Sequence, residues 1–415
     1  QVEALEQKQL PKSAIKELQK IYEHAKQEKN IPQMMRAHLT KASLSINVTP
    51  DSLDRELSGL KTWVAEEKDP VYKAILNHLL GYYTLDTGKR DEAAIDAAIA
   101  YFRLSLQDKD LLSRKSAADY HPMTVSKELS GKYCGDNMYQ LLARQAISRL
   151  SGYFIVNPVL AEKIQTEILS IYDGLIDFYQ QQGMTDARLL LMLDKLNYQG
   201  NDISRGGVNE KLRLTDEQVI ILLKQWAEEF SASPLCGEVY CQLAERYDRM
   251  QDYTAKLHAA QTGLKKYPQS PSANDLKEQA AEVLTPRLMV EIPFAYPARE
   301  VDLKVKYRNL TGLTVELYRM NLPVTSNILE REITASTVSQ YGKLVGTRHY
   351  QLAATPDYME TDTLLRYKFP TEGIYILKSI PDGHSKYTAY GKAYVSSLQA
   401  ISLGLPGGKQ EINIK

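Results

Sequence analysis

The sequence predicts a protein of the α then β class, in which helical hairpins are followed by an antiparallel β-sandwich. Two observations lead to this prediction. From Pro11 to about Leu284 apolar residues recur every three or four positions, which is the period of an amphipathic helix. From Pro286 onward the period changes to two, as in half-buried strands. We therefore expect an all-α helical-repeat domain over 1–285, a β-sandwich over 286–404, and a linker or the first strand of a following domain over 405–415.

Proline and capping residues mark the helix starts in the first part. Pro11 and Pro70 suit first-turn positions, and Asp69 is a candidate cap for the second of these helices. Thr215 followed by Gln218 is the pattern of a capping box. We expect breaks between helices at 153–158 and at 198–207, the second being a glycine-containing mobile loop.

The segment 240–268 has the spacing of a tetratricopeptide unit. Ala244 and Tyr247 would close its first helix, Asp252 would begin the turn, Ala260 would lie in the second helix, and Pro268 would end it. A looser version runs over 79–102. Small residues at these positions let two antiparallel helices approach, and each hairpin must stack on its neighbour to bury its other face. The pattern predicts an α-solenoid of tetratricopeptide-like hairpins.

The second part reads as about seven strands separated by turn signals, which favours an Ig-like sandwich. The alternation of apolar and polar residues is clearest around Val290, Val305 and Val315. Further strands are expected at 348–352, 364–369, 374–379 and 392–403, and a long excursion between strands at 325–342.

Composition narrows the classes of function. The chain of 415 residues carries 51 basic and 51 acidic side chains, so its formal net charge is zero and a nucleic-acid partner is not expected. No run of about 18 apolar residues occurs, so this chain has no predicted transmembrane segment. The chain begins at Gln1 without a signal-like segment, which indicates a processed or cut protein and is no evidence for the cytoplasm.

The three cysteines are too few for a disulfide framework. They are Cys134, Cys236 and Cys241. The last two lie five positions apart in a predicted helix and would point to different faces, so no bridge is expected between them.

The order of these parts, together with several short strings, carries a family resemblance. The strings are Pro286-Arg287-Leu288, Tyr296-Pro297, Val305-Lys306-Tyr307-Arg308-Asn309-Leu310 and Leu317-Tyr318-Arg319. The chain resembles the N-terminal region of bacterial alpha-2-macroglobulin family proteins that carry a helical leader, most strongly over 241–323. The resemblance implies that the sandwich is a macroglobulin-type domain of a longer protein. It also implies an extracytoplasmic location, in the periplasm or on the outer-membrane surface, and a role in trapping or inhibiting proteases.

Some members of that family carry a Cys-Xaa-Glu-Gln thioester. The nearest string here is Cys236-Gly237-Glu238-Val239. Val239 stands where the acyl-donating glutamine must be and has no side-chain carbonyl to link. We therefore expect no thioester in this chain.

No pattern for catalysis, metal binding or cofactor binding stands out, so we expect no catalytic residues, no metal site and no cofactor site. The seven histidines are scattered and show no metal-ligand spacing. The turn at 404–409 ends in Gly-Gly-Lys but lacks the spacing of a phosphate-binding loop. Adjacent carboxylates such as Glu66 with Glu67 diverge by about 100° on a helix and cannot flank one bond.

Tyrosine is unusually frequent, with 27 tyrosines against 6 phenylalanines and 2 tryptophans. An aromatic ring with a polar end suits binding surfaces as well as half-buried helix seams. Candidate partner-binding residues surround the poorly periodic stretch 108–137, and they are Tyr120, His121, Tyr133 and Tyr139. The alternative is that these rings pin the stretch to the helices. Trp63 and Trp226 are predicted to lie in helix seams.

The leading hypothesis is a non-enzymatic scaffold segment of a larger alpha-2-macroglobulin-like protein that contributes to protease trapping through protein–protein contacts. Its partners would be proteases or other domains of the same long chain, and an N-terminal anchor outside this sequence would attach it to the cell envelope. The alternative is a stand-alone surface or periplasmic module that binds protein or glycan. An enzyme such as a glycosidase is disfavoured because its cleft would display aromatic platforms, whereas this chain has only 2 tryptophans.

Overall fold

The computed structural model describes residues 1–48, 52–86, 91–121, 135–153, 156–200, 210–322, 333–398, 400–405 and 409–414. Helices prevail up to Leu284 and antiparallel strands from Arg287 onward, so the predicted order of α then β is confirmed. The chain forms two compact units, Gln1–Val239 and Tyr240–Lys415. The domain bounds predicted from the sequence, 1–285, 286–404 and 405–415, remain predictions.

In the first unit the described residues form one helix after another. These are α1 Val2–Gln7, α2 Pro11–Gln27, α3 Ile31–Val48, α4 Ser52–Glu66, α5 Pro70–Asp86, α6 Glu92–Leu106, α7 Lys109–Ser113, α8 Met138–Ser151, α9 Pro158–Gln181, α10 Thr185–Gly200 and α11 Asp216–Glu229. Short 3₁₀ turns lie at Ala117–Tyr120 and Glu210–Leu212. Helix α12, Cys236–Arg249, spans the boundary between the units. In the part of the chain that the structure describes, no helix is both long enough and apolar enough to span a membrane.

The helix starts follow the capping residues seen in the sequence. Asp69 accepts a hydrogen bond from the backbone N–H of Val71 at 2.8 Å, which satisfies a donor in the first turn of α5. At α11 the capping box is confirmed: Thr215 Oγ1 accepts from the Gln218 N–H at 3.3 Å, and Gln218 Oε1 accepts from the Thr215 N–H at 3.0 Å. Each contact satisfies a backbone group that would otherwise lack a partner.

The two predicted breaks have different outcomes. The first is confirmed, since α8 ends at Ser151 and α9 begins at Pro158. The second starts later than predicted, because α10 continues to Gly200, and residues 201–209 lie outside the described part. Near this end of α10, Tyr198 packs against Tyr172 of α9 with ring centroids 6.1 Å apart.

The second unit begins with a helical hairpin at the place where a tetratricopeptide-like unit is predicted. The hairpin consists of α12 and α13 Tyr253–Lys266, and α14 Ala273–Leu284 follows it. Asp252 caps α13 by accepting from the Ala255 N–H at 2.9 Å. A Cβ added at Gly263 would lie 2.5 Å from Tyr240 Cβ, so the absence of a side chain lets α13 approach α12 closely.

The strands form antiparallel sheets with the orders β1-β2-β5, β4-β3-β6-β7 and β8-β9. Their bounds are β1 Arg287–Glu291, β2 Glu300–Arg308, β3 Gly312–Met320, β4 Gly342–Gln351, β5 Thr361–Lys368, β6 Gly373–Pro381, β7 Ala389–Val395, β8 Ala400–Leu405 and β9 Lys409–Ile414. A short helix, α15 Ala335–Tyr341, precedes β4 and lies in the predicted excursion, of which 325–332 fall outside the described residues.

The alternating side chains of the first two sheets share one hydrophobic core. Val305 and Tyr307 of β2 belong to it together with Val315 of β3 and Tyr375 of β6. The sheets also meet at their edges, since Tyr350 OH of β4 donates to the Arg366 carbonyl of β5 at 3.0 Å. Arg348 Nη1 donates to the same carbonyl, also at 3.0 Å.

One predicted strand is wrong in its extent. The structure divides 392–403 into the end of β7 and most of β8. Glu372 explains the interruption, because its Oε1 accepts from both the backbone N–H and the hydroxyl of Ser397. Those bonds occupy a backbone donor that a continuous strand would have used in its ladder.

Candidate functional site

Two of the four predicted partner-binding residues, Tyr120 and Tyr139, are buried. Tyr120 is 8% exposed and packs edge-to-face on Tyr72, with ring centroids 5.5 Å apart. Tyr139 is 6% exposed and packs in the same way on Phe178 at 5.3 Å. His121 is exposed, and Tyr133 lies outside the described residues.

Burial also makes ionisation of both phenols less favourable. It raises the pKa of Tyr120 to about 12, with a further contribution from the negative charge of Asp69. Burial and then the charge of Asp177 raise the pKa of Tyr139. These contacts support the alternative that the rings hold their segments against the helices. The partner-binding role of the four residues, Tyr120, His121, Tyr133 and Tyr139, remains a prediction.

A groove between α6 and α9 presents apolar side chains to solvent. It encloses about 800 Å³, and its floor includes Ile99, which is buried. Leu104 and Val159 also line it and are 48% and 69% exposed. A group of exposed apolar residues bordered by polar ones is typical of an interaction surface.

Charged side chains form the border of this groove. The Arg103 guanidinium donates to both carboxylate oxygens of Glu167, with Nε 2.9 Å from Oε2 and 3.1 Å from Oε1. The side chain of Glu167 is only 5% exposed, and this hydrogen-bonded partner raises the pKa of Arg103. Lys163 Nζ lies 2.6 Å from Asp96 Oδ1 and 3.0 Å from Glu92 Oε1, so hydrogen bonds to these carboxylates raise its pKa.

The polar side chains around the groove are largely engaged with one another. Both cations of the border are already paired with carboxylates, and Thr166 donates its hydroxyl to the Glu162 carbonyl at 2.8 Å. Within the described residues, no group of three or more His, Cys, Asp or Glu side chains could hold a metal ion. What the groove offers a ligand is apolar area with charges at its margin.

The groove was not found from the sequence, although a signal for it exists. The main apolar stripe of α6 runs through Ile95, Ile99 and Phe102, all of which are buried. Leu104 and Val159 fall outside the stripes of their helices and remain exposed. A search for apolar residues off the buried face would have pointed to both.

The comparisons with known proteins give no family for this chain. No protein-family model matches it, and no curated protein matches it. Among solved structures it is similar to the "Crystal structure of BtubC (BKLC) from P. vanneervenii", with 12% sequence identity and a TM-score of 0.25. The alignment covers 62% of this chain and 90% of that one. A TM-score this low carries no argument about fold or function, and the macroglobulin resemblance remains a proposal.

Proposed function

We propose that this chain is a non-enzymatic interaction scaffold, built as an α-solenoid of tetratricopeptide-like hairpins followed by an Ig-like β-sandwich. The solenoid is supported by helices that pack against their neighbours in sequence, as α2 does with α3, α5 with α6 and α13 with α14. The sandwich is supported by a hydrophobic core to which both larger sheets contribute.

The groove between α6 and α9 is the proposed docking surface. The observation that carries this assignment is the exposure of Leu104 and Val159 inside a groove with a charged border. Three carboxylates and two cations line it. This excess of negative charge favours an occupant that combines an apolar face with basic residues at its margins, such as an amphipathic helix of a partner protein.

The wider setting that we propose is an extracytoplasmic protein related to alpha-2-macroglobulin, in which this segment supports protease trapping or inhibition. The support for this setting is the sequence resemblance over 241–323. The strings that carry it lie in the strands and turns of the second unit.

Site-specific photo-crosslinking in cells that express the native protein tests the docking surface. A photoreactive amino acid at Val159 should give a discrete adduct with a partner protein. Ile221 on α11 provides the matched control, because it is also an apolar helical residue and is 57% exposed, but it does not line the groove. Identical adducts from both positions, or none from Val159, would show that the groove is not the docking surface.

The wider setting has its own test. An immunoblot of fractionated cells with serum against this chain should show a band several times heavier than 47.0 kDa in the envelope fraction. A band near 47.0 kDa would argue against the macroglobulin setting and favour a stand-alone surface module. The crosslinking result would still decide the role of the groove.

A further inference from the structure

A polar cleft in the second unit contains more cations than carboxylates. It encloses about 380 Å³ between the α12–α13 hairpin, the end of α14 and strands β1 and β2. Its cationic residues are Lys256, Arg287, Lys306 and Arg308, and its acidic residues are Asp248, Glu282 and Glu360. None of these residues belongs to the proposed docking groove, so a role for the cleft is independent of the proposed function.

The helical side of the cleft has its charge satisfied. Lys256 is 2% exposed, and its Nζ lies 2.7 Å from Asp248 Oδ1 and 2.8 Å from Glu282 Oε2. Burial works against the charged amine, but hydrogen bonds to these two carboxylates more than offset it, so the pKa of Lys256 is raised. Two carboxylates therefore serve one cation here.

The opposite side of the cleft has the reverse balance. Glu360 is the acidic partner of both Arg287, at 2.9 Å, and Lys306, at 3.3 Å. Arg308 lines the same cleft, and within the described residues no carboxylate forms an ion pair with it. Three cations from β1 and β2 thus lie in the cleft with one carboxylate, Glu360, which pairs with two of them.

Arg308 is the least satisfied of these cations. The residue is 4% exposed, and its Nη2 donates to the Glu282 carbonyl at 2.7 Å. Its Nε is buried and has no hydrogen-bond partner among the described residues. Burial lowers the pKa of Arg308, and the neighbouring positive charge of Arg287 lowers it further. The charges of Glu360 and Glu282 act in the opposite direction but do not offset these effects. Burying an incompletely compensated charge is costly, so an anion in the cleft would be stabilised there.

We propose that the cleft binds a small oxyanion, a phosphate or carboxylate group, through Arg287, Lys306 and Arg308. Guanidinium and ammonium groups form charge-assisted hydrogen bonds with both kinds of oxyanion. The bound group would add negative charge beside three cations that have Glu360 as the ion-pair partner of two of them. The ligand would therefore join the strands β1 and β2 to the end of α14. Arg308 Nη2 already donates there to the carbonyls of Glu282 and Thr285.

Isothermal titration of the full chain with inorganic phosphate, and separately with succinate, tests this proposal against sodium chloride at equal ionic strength. We expect saturable binding of at least one oxyanion. Binding of phosphate alone or of succinate alone would identify which oxyanion the cleft takes. Binding of neither, or equal heat from chloride, would overturn the proposal.

Two substitutions with opposite expected effects separate binding from loss of structure. Lys306→Gln should raise the dissociation constant of the oxyanion about tenfold, because it removes a charge-assisted hydrogen bond. Glu360→Gln should strengthen binding of the oxyanion, because it removes the carboxylate that competes for Arg287 and Lys306. Weaker binding in both variants would refute the proposal, because removing a carboxylate that competes for Arg287 and Lys306 should not weaken binding of the oxyanion.

Lys304→Gln is the matched control for net charge. Lys304 lies on the same strand and face as Lys306, and their side chains are similarly exposed, at 51% and 48%. It does not line the cleft. If Lys304→Gln weakened binding of the oxyanion as much as Lys306→Gln did, the effect would be one of net charge and the cleft would not be the binding site.

Discussion

The buried imidazole of His78 should make the stability of the helical core depend on pH. The residue is 4% exposed on α5, and its ring centroid lies 5.2 Å from that of Phe102. Its Nδ1 is buried and has no hydrogen-bond partner among the described residues. Burial lowers the pKa of His78 to about 4, because the charged imidazolium would lose its hydration.

The size of the effect follows from the two pKa values. In the unfolded chain the imidazole has its ordinary pKa of about 6.5, so the unfolded state binds the proton more tightly than the folded state. The stability due to neutral His78 is therefore complete above about pH 6.5 and is lost as the pH falls toward about 4. Full loss corresponds to about 3 kcal/mol, of which about 2 kcal/mol is lost by about pH 5.

Urea unfolding at about pH 7 and about pH 5 measures this difference. Trp63 and Trp226 are the 2 tryptophans of the chain and both lie within Gln1–Val239, so tryptophan fluorescence reports on that unit. Between about pH 7 and about pH 5, the free energy of unfolding of the wild-type chain should fall by about 2 kcal/mol more than that of His78→Leu. Leu76→Ala is a control on the same helix: it deletes a fully buried side chain and should lower stability equally at both pH values. The same pH dependence in wild type and His78→Leu would refute the reasoning.

Three further substitutions test the local packing. Gly263→Ala should destabilise the second unit by about 1–3 kcal/mol in thermal unfolding, because its Cβ would lie 2.5 Å from Tyr240 Cβ, and an unchanged melting temperature would contradict the close helix contact. Thr215→Ala should lower the free energy of unfolding by about 1 kcal/mol, measured by urea unfolding with tryptophan fluorescence, whereas Thr215→Ser should retain the cap and most of the stability. Asn309→Gly should lower stability by about 1 kcal/mol, since it preserves the positive φ of 57° but removes the amide that donates to the Val283 carbonyl at 2.7 Å; a stability equal to wild type would show that this cap contributes nothing.

The features that the sequence predicted well are those set by neighbours along the chain. The capping box at Thr215 and the α12–α13 hairpin require only residues within about one hairpin of each other, and both are found where they were predicted. The change of period near Pro286 likewise depends on local patterning, and it coincides with the change from helix to strand.

The features that the sequence could not predict depend on partners that are remote along the chain. Glu372 interrupts a strand by binding Ser397, and the groove between α6 and α9 combines Leu104 with Val159. The cleft depends on how Arg308 meets the end of α14, which no periodicity encodes. For the tyrosines, composition suggested a surface, but whether a ring such as that of Tyr120 is exposed is decided by tertiary packing.

The contacts that Arg348 and Tyr350 make with the Arg366 carbonyl bear on aggregation as well as on folding. Strands β4 and β5 lie at the ends of their sheets, where unpaired backbone groups can recruit a strand from another molecule. The two side chains occupy a carbonyl that such an intruding strand would use. Changes at these positions should therefore appear first as self-association of folded chains at high concentration, before any change in the unfolding temperature.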